Sequence, residues 1–197
     1  MFEHLLELFV LYLVIFDPFT SLAVFSLATG SRTSSERRKI AILAVAVAGV
    51  ISLLVLLLGR TLIDLFSTTI TDLRIAGGII LVILGIDMAL GRSLSNEEKY
   101  RENSSAAIAA IIGTPLLAGP ASITTMIITS TDLGILETGV AVSVVLVLTG
   151  ALLLLSTRAK HFLNNTVIQL ISAVMGMITL AWGVRFIREG LVALQVL

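Results

Sequence analysis

The chain has 197 residues, of which 57% are hydrophobic and 13% are charged, whereas soluble domains are roughly 45–50% apolar and about 25% charged. A water-soluble domain of this length cannot bury so much apolar surface, so the composition predicts an integral membrane protein in contact with the lipid bilayer. Basic and acidic residues number 13 each, which argues against nucleic-acid binding. With no cysteine and two widely separated histidines, we expect no metal site and no cofactor.

Six segments are long and apolar enough to cross a membrane as helices, which requires about 20 residues each. The predicted spans are roughly 5–29, 40–59, 70–90, 105–131, 134–155 and 167–187. The hydrophilic segments between them are too short to fold as a soluble domain. The sequence therefore predicts an all-α membrane protein with a single six-span transmembrane domain over residues 1–197.

The distribution of Lys and Arg predicts the orientation, because cytoplasmic loops carry an excess of both. The loops after spans 1, 3 and 5 hold nine of them: Arg32, Arg37, Arg38, Lys39, Arg92, Lys99, Arg101, Arg158 and Lys160. The opposite side holds four: Arg60, Arg74, Arg185 and Arg188. We therefore expect a multi-pass protein of the cytoplasmic (inner) membrane with both termini outside.

Proline and glycine positions suggest an internal repeat. Pro18 lies at the middle of the first span and Pro120 near the middle of the fourth, 102 residues apart. Gly78 and Gly85 in the third span correspond to Gly176 and Gly183 in the sixth, 98 residues apart. Three spans per copy would insert the second copy upside down, as in many secondary transporters. The alternative is chance, because glycine and proline are frequent in membrane helices.

The repeat interpretation divides the chain into repeat one at 1–90, a cytoplasmic linker at 91–104 and repeat two at 105–197. It also predicts that helices 1 and 4 are broken, at Asp17-Pro18 and at Gly119-Pro120, where proline removes a backbone donor. In a membrane the carbonyls that lose their partners must be satisfied by protein, water or ligand.

Several motifs resemble the MarC family of six-span membrane proteins, over essentially the whole chain. They are Asp17-Pro18, the loop Ser34-Ser35-Glu36-Arg37, the glycine segment that starts at Arg74, and Pro115-Leu116-Leu117-Ala118-Gly119-Pro120 with Ile123-Thr124-Thr125 after it. We expect coupling to H⁺ or Na⁺, and the resemblance implies a secondary transporter of small neutral amino acids, of the glycine, alanine, serine and threonine class. It does not indicate the oligomeric state or the direction of transport.

The chain departs from the family pattern close to both breaks. The family usually follows its Asp-Pro with Gly-Asn and a second proline, where this chain has Thr20, Ser21 and Ala23. The family also has a glycine after the second Gly-Pro, where this chain has Ala121. These differences bear on the substrate preference more than on the fold.

The broken helices suggest how a zwitterion would bind. A half-helix that starts after Pro18 or Pro120 presents free N–H groups and a positive dipole end, which suit a carboxylate. The C-terminal ends of the preceding halves present carbonyls that suit an ammonium group. The predicted substrate-binding residues are Asp17, Pro18, Phe19, Thr20, Ser21, Thr114, Gly119, Pro120, Ala121, Ser122, Thr124 and Thr125. Each hydroxyl among them could instead bond a carbonyl one turn back in its own helix.

Asp17 and Asp87 are the predicted coupling residues. Asp17 is the only acidic residue at the middle of a predicted span, and ionised carboxylates are costly there, so intramembrane acids are often functional. Asp17 could equally cap the half-helix that starts at Pro18. Asp87 lies near the cytoplasmic end of the third span, where it could simply reach water.

Two other functional classes use the same features. A channel, or an exporter of other small solutes, could form its pathway from the same broken helices. An intramembrane aspartyl protease would need Asp17 and Asp87 as a carboxylate pair, but the two fall at different depths, so we expect no enzymatic activity.

Overall fold

The computed structural model describes residues 2–65, 67–91, 104–157 and 165–195, which form helices joined by short turns. The helices are α1 (Phe2–Phe16), α2 (Pro18–Ala28), α3 (Ser34–Leu65), α4 (Ile70–Ala89), α5 (Ser105–Ile111), a π-helical segment (Ile112–Leu117), α6 (Pro120–Asp132), α7 (Ile135–Ser156) and α8 (Asn165–Gln195). The described residues contain no β-strand, as predicted for an all-α protein.

The first predicted span is interrupted at Asp17, which separates α1 from α2. Asp17 has φ 36° and ψ 73°, in the left-handed region that only a few residue types, Asp among them, visit readily. Pro18 is the first residue of α2, a position where its missing N–H leaves no helical bond unmade. The predicted break at Asp17-Pro18 is confirmed.

The fourth predicted span is divided into three parts. α5 leads into the π-helical segment, in which the Ala118 N–H bonds the Gly113 carbonyl oxygen at 3.1 Å. Gly119 is extended, with φ −81° and ψ 177°, and Pro120 begins α6. The predicted break at Gly119-Pro120 is confirmed, and the π-helical turns that precede it were not predicted.

Four helical segments within the described residues are long and apolar enough to cross a membrane. They are His4–Ala28, which spans the first break, Ser34–Thr61, Ile135–Ser156 and Gln169–Leu194. α4 is 20 residues long but carries Asp72, Arg74 and Asp87, and the 105–132 segment is interrupted. The architecture is that of an all-helical membrane protein, and the count of six spans stays a prediction.

Two helices extend beyond their predicted spans. α3 has 32 residues and α8 has 31, whereas the hydropathy pattern predicted 40–59 and 167–187. The added turns of α8 contain Arg188 and Glu189, charged residues that mark the end of an apolar segment but do not end a helix. A helix end that lies in water carries charged side chains without cost.

The most extensive helix–helix contact joins α4 and α8, which run antiparallel. A Cβ added to Gly78 would lie 2.7 Å from the Gly183 carbonyl oxygen, and one added to Gly85 would lie 2.6 Å from the Gly176 carbonyl oxygen. The absence of side chains at these glycines lets the two backbones touch, as is typical of small-residue interfaces in membranes.

Ion pairs join several helices at the end of the bundle where α1 begins. Arg74 of α4 pairs through its Nη2 with Asp132 of α6, and its Nη1 lies 3.6 Å from Oε2 of Glu189 in α8. Arg185 of α8 pairs with Glu189 at 2.8 Å and with Glu7 of α1 at 2.7 Å. These side chains are partly exposed, so each pair contributes little alone, but together they connect α1, α4, α6 and α8.

Candidate functional site

The two helix breaks meet at one cavity of about 140 Å³. Its wall is largely apolar, with polar atoms concentrated where the breaks contribute. The lining residues are Ile15, Phe16, Asp17, Thr20, Ser21, Ile80, Leu84, Met88, Gly119, Pro120, Ala121 and Ser122. Segments about a hundred residues apart in the chain therefore supply the polar groups of a single site.

Asp17 is almost fully buried and caps α2 with its own side chain. Its Oδ1 accepts a hydrogen bond from the Thr20 backbone N–H at 3.1 Å. Its Oδ2 accepts hydrogen bonds from the Thr20 hydroxyl and, at 3.0 Å, from the Ser172 hydroxyl of α8. The helix cap that the sequence offered as an alternative role for Asp17 is thus present, and Ser172 of α8 adds a hydrogen bond to the same carboxyl group.

The break before α6 is organised differently. Gly119 occupies the capping position, and no side chain caps the helix N-terminus there. The Ser122 hydroxyl turns back to the preceding carbonyls, with its Oγ 3.0 Å from the Leu117 oxygen and 2.8 Å from the Gly119 oxygen. The first N–H groups of α6 thus have no side-chain partner in a segment that lines the cavity, which favours an anionic group there.

A buried hydrogen bond ties the two broken helices together beside the cavity. The Tyr12 hydroxyl of α1 and the Thr129 hydroxyl of α6 lie 2.6 Å apart, and both side chains are buried. The Tyr12 ring also packs against Phe16, which lines the cavity. This contact joins α1 to α6 on the side of Phe16 that leads to the ion-pair end of the bundle.

Seven of the predicted substrate-binding residues line the cavity and five do not. Those that line it are Asp17, Thr20, Ser21, Gly119, Pro120, Ala121 and Ser122. Pro18, Phe19, Thr114, Thr124 and Thr125 lie outside the lining. Thr124 and Thr125 donate to the Pro120 and Ala121 carbonyls, each at 2.8 Å, which is the local role that hydroxyls often take in membrane helices.

The two predicted coupling residues lie in different places. Asp17 is in the lining, whereas Asp87 of α4 is partly exposed and lies outside it. The structure does not bring the two carboxylates together at the cavity. In the described ranges, no three His, Cys, Asp or Glu side chains form a cluster suited to a metal ion.

Ser172 is a site residue that the sequence analysis missed. It lies in the middle of an apolar helix, is 2% exposed, and contacts a residue 155 positions earlier in the chain. One serine in an apolar helix usually bonds its own backbone, so no local pattern distinguishes it. Only the packing of α8 against the first break identifies it.

Apolar spans, broken helices and a cavity at their junction define a helical integral membrane protein. A family profile described as "MarC family integral membrane protein" matches residues 2–195. The chain belongs to this family, and the resemblance seen in its motifs is confirmed.

Its relatives are similar over nearly their full lengths. A UPF0056 membrane protein of Buchnera aphidicola subsp. Schizaphis graminum is 26% identical over 195 residues, 96% of this chain and 92% of the relative. The UPF0056 membrane protein YhcE of Escherichia coli K12 is 28% identical, covering 89% of this chain and 86% of its own. A UPF0056 membrane protein of Aquifex aeolicus is 31% identical, covering 93% and 90%. No solved structure matches the chain significantly.

Proposed function

We propose that the protein is a secondary transporter of small neutral amino acids, of the glycine, alanine, serine and threonine class. The observation that carries the proposal is the single cavity at which both helix breaks meet. Transporters commonly bind their substrates where discontinuous helices expose backbone groups near the middle of the membrane. The substrate class follows from the family resemblance and from the two arguments below.

The cavity offers partners for both charges of a zwitterion. The substrate carboxylate would bind the N-terminus of α6, where Gly119 provides no side-chain cap. Its ammonium group would face the C-terminal carbonyls of α1 at Phe16, which is also in the lining. The described residues that line the cavity include no Lys or Arg, so the carboxylate would be held by backbone dipoles.

The size of the cavity favours a small side chain. An engineered apolar cavity of about 150 Å³ accommodates benzene, which has as many non-hydrogen atoms as alanine. The cavity here, at about 140 Å³, suits a molecule of that size. Phe16, Leu84 and Met88 border the space that a larger side chain would need.

The contacts between α4 and α8 support six spans in two inverted repeats of three helices. The 98-residue period makes Gly176 the counterpart of Gly78 and Gly183 the counterpart of Gly85. Gly78 contacts Gly183, and the counterparts of these two residues, Gly176 and Gly85, also contact each other. A two-fold axis between antiparallel α4 and α8 would produce this pairing, with helices 1 and 4 as the related broken helices.

Transport would be coupled to an ion, with H⁺ and Na⁺ as the candidates. Asp17 is the coupling residue that the geometry favours, because its carboxyl group lies in the cavity wall. Asp87 would serve in coupling only from outside the cavity. Ion coupling supplies the driving force that distinguishes a secondary transporter from a passive pathway.

The function is tested by uptake of a labelled amino-acid panel into proteoliposomes, with and without pH and sodium gradients. We expect glycine, alanine, serine and threonine to enter faster than into empty liposomes, and leucine and phenylalanine to be excluded. Acceleration by one gradient identifies the coupling ion. Fluxes equal to those of empty liposomes for every compound would refute the transporter.

The same liposomes separate the rival classes. Unlabelled amino acid inside should accelerate entry of the labelled compound through a carrier, whereas a channel shows no such counterflow. Uptake of other small solutes but no amino acid would indicate an exporter of a different class. Cleavage of a fluorescent transmembrane peptide would contradict the proposal that the protein is not an enzyme.

The proposed location is the cytoplasmic membrane with both termini outside. Because the chain has no cysteine, a single cysteine introduced at Glu3 or at Gln195 reports on one position only. A membrane-impermeant maleimide should label both variants in intact cells, and a cysteine at Lys39 should react only after the membrane is opened. Protection of positions 3 and 195 in intact cells would reverse the orientation.

A further inference from the structure

Three side-chain oxygens form a closed triangle at the first break. The Thr20 hydroxyl bonds Oδ2 of Asp17, the Ser172 Oγ lies 3.0 Å from the same Oδ2, and the two hydroxyl oxygens are 2.6 Å apart. All three side chains are buried, with exposed fractions of 6% for Asp17, 4% for Thr20 and 2% for Ser172. Two of them belong to the first break and the third belongs to α8.

The number of protons available to this triangle depends on whether the carboxyl group of Asp17 is protonated or ionised. Each hydroxyl supplies one proton, so an ionised carboxylate leaves one of the three oxygen–oxygen contacts without a hydrogen between its atoms. A proton on Oδ2 supplies the missing donor. The three groups then form a closed ring in which each oxygen donates once and accepts once, and such rings are mutually reinforcing.

The charged groups around Asp17 also favour a protonated carboxyl group. In the described part of the chain no Lys or Arg forms an ion pair with Asp17, and an unpaired carboxylate within a membrane is costly. The nearest ionisable group along α1, Tyr12, bonds Thr129. The other described ionisable groups of the helices packed against the break, outside the ion pairs already given, are His4, Glu137 and Arg188; α4, which shares the cavity wall, adds Asp72 and Asp87.

We propose that Asp17, Thr20 and Ser172 form a proton-binding site, and that the proton holds α8 against the first break. Proton uptake from water adds one hydrogen to Oδ2 and removes the negative charge, and release reverses both changes. The transport consequence rests on the proposed function, whereas the proton site does not. With this proton site H⁺ is the coupling ion, and Ser172 is a positioning residue.

The position of Ser172 gives the proton a mechanical consequence. α8 packs along α4 through backbone contacts at Gly176 and Gly183, so the two helices are expected to move together. Ser172 is a side-chain hydrogen-bond link between α8 and the break. Loss of the proton opens the ring and leaves Ser172 with one hydrogen bond to the break in place of two, which lets the α4–α8 pair move relative to the cavity.

Infrared spectroscopy of the purified protein tests the site without any transport. A protonated carboxyl group absorbs apart from carboxylates, at a frequency that depends on its hydrogen bonds. We expect a protonated-carboxyl band near neutral pH that is absent in Asp17→Asn and displaced in Ser172→Ala, with Ser172→Thr closer to the original frequency. Thr179→Val is the matched control, because the buried Thr179 hydroxyl of α8 donates to the Met175 carbonyl of its own helix.

Each spectroscopic outcome decides the proposal. If Asp17→Asn removes no band between pH 5 and 8, the pH range in which coupling must operate, the carboxyl group is ionised and the proton site is wrong. If the band is present but is the same in Ser172→Ala as in the unsubstituted protein, Ser172 has no part in it. If the band is displaced in both Ser172→Ala and Thr179→Val, the displacement reflects a general change in α8, and this result would also overturn the assignment of Ser172 to the proton site.

Transport by the same variants tests the coupling. The acceleration of amino-acid exchange by a pH gradient, relative to exchange at equal pH on both sides, should fall strongly in Ser172→Ala and stay as in the unsubstituted protein in Thr179→Val. Full acceleration of Ser172→Ala by the gradient would overturn the coupling role. If the unsubstituted protein exchanges no amino acid, the proposed function fails, and the infrared result still decides the proton site.

Discussion

Gly85→Ala is expected to destabilise the protein by at least about 2 kcal/mol, because overpacking a close backbone contact costs roughly 1–3 kcal/mol or more. A Cβ at Gly85 would lie 2.6 Å from the Gly176 carbonyl oxygen and 2.7 Å from the Leu180 backbone nitrogen. Neither is the end of a flexible side chain, so α4 and α8 must separate. The expected decrease in the detergent-solubilised Tm is roughly 4–8 °C for a chain of this length.

Gly49→Ala is the matched control for that substitution. Gly49 also lies within a long helix, but a Cβ added there meets no atom within 4 Å. In an exposed helix interior, alanine is more stable than glycine by about 0.5–1 kcal/mol, so the Tm should stay the same or rise. A Gly85→Ala protein as stable as Gly49→Ala would mean that α4 and α8 do not touch through their backbones.

Gly176→Ala repeats the test on α8. Its Cβ would meet the Gly85 carbonyl oxygen at 2.8 Å, which is the same contact seen from the other helix. We therefore expect a loss of stability similar to that of Gly85→Ala, measured by the same thermal unfolding. A tolerated Gly176→Ala beside a destabilised Gly85→Ala would contradict the backbone contact between α4 and α8.

The positions of the helix breaks could be predicted because their causes are local. Proline removes a backbone donor wherever it stands, and Asp or Gly before it accepts a conformation that other residues avoid. The glycine pairs were visible for a similar reason, since a repeated spacing within apolar spans is a property of the sequence alone. Membrane class, both breaks and the recurrence of the glycine pairs therefore followed from composition and spacing.

The features that were not predicted depend on contacts between distant segments. Ser172 resembles any other serine in an apolar helix until α8 is placed against Asp17, and hydropathy carries no information about that placement. The added turns of α3 and α8 are a different case. Hydropathy indicates where an apolar segment ends, whereas the backbone hydrogen bonds of the helix continue past that point, through Arg60 in α3 and Arg188 in α8.

The two breaks differ in a way that the repeat alone did not indicate. At the first break the carboxyl group of Asp17 caps α2, so the N-terminus of that half-helix already has an acceptor. At the second, Gly119 leaves the N-terminus of α6 without a side-chain cap. A substrate carboxylate would be repelled by an ionised Asp17 and attracted by α6. The asymmetry therefore gives the proposed zwitterion a single orientation in the cavity.

Pro120→Ala is expected to weaken binding of a small amino acid by more than about 1 kcal/mol, because each hydrogen bond to a charged group contributes about 1.5–3 kcal/mol. Alanine at this position restores a backbone donor and favours continuation of the helix through Gly119. The N–H groups at the start of α6 would then turn to the preceding carbonyls and away from the ligand. The expected increase in Kd for alanine is about 5-fold or more, measured by calorimetry on the purified protein.

Alaninamide provides the comparison that isolates the carboxylate. It keeps the ammonium group and the methyl side chain of alanine but lacks the negative charge, so the N-terminus of α6 should favour alanine strongly. Pro120→Ala should reduce this preference, whereas Thr125→Val should leave it unchanged, because the Thr125 hydroxyl donates to the Ala121 carbonyl of its own helix. If Pro120→Ala weakens both ligands equally, the proline shapes the cavity and the carboxylate binds elsewhere.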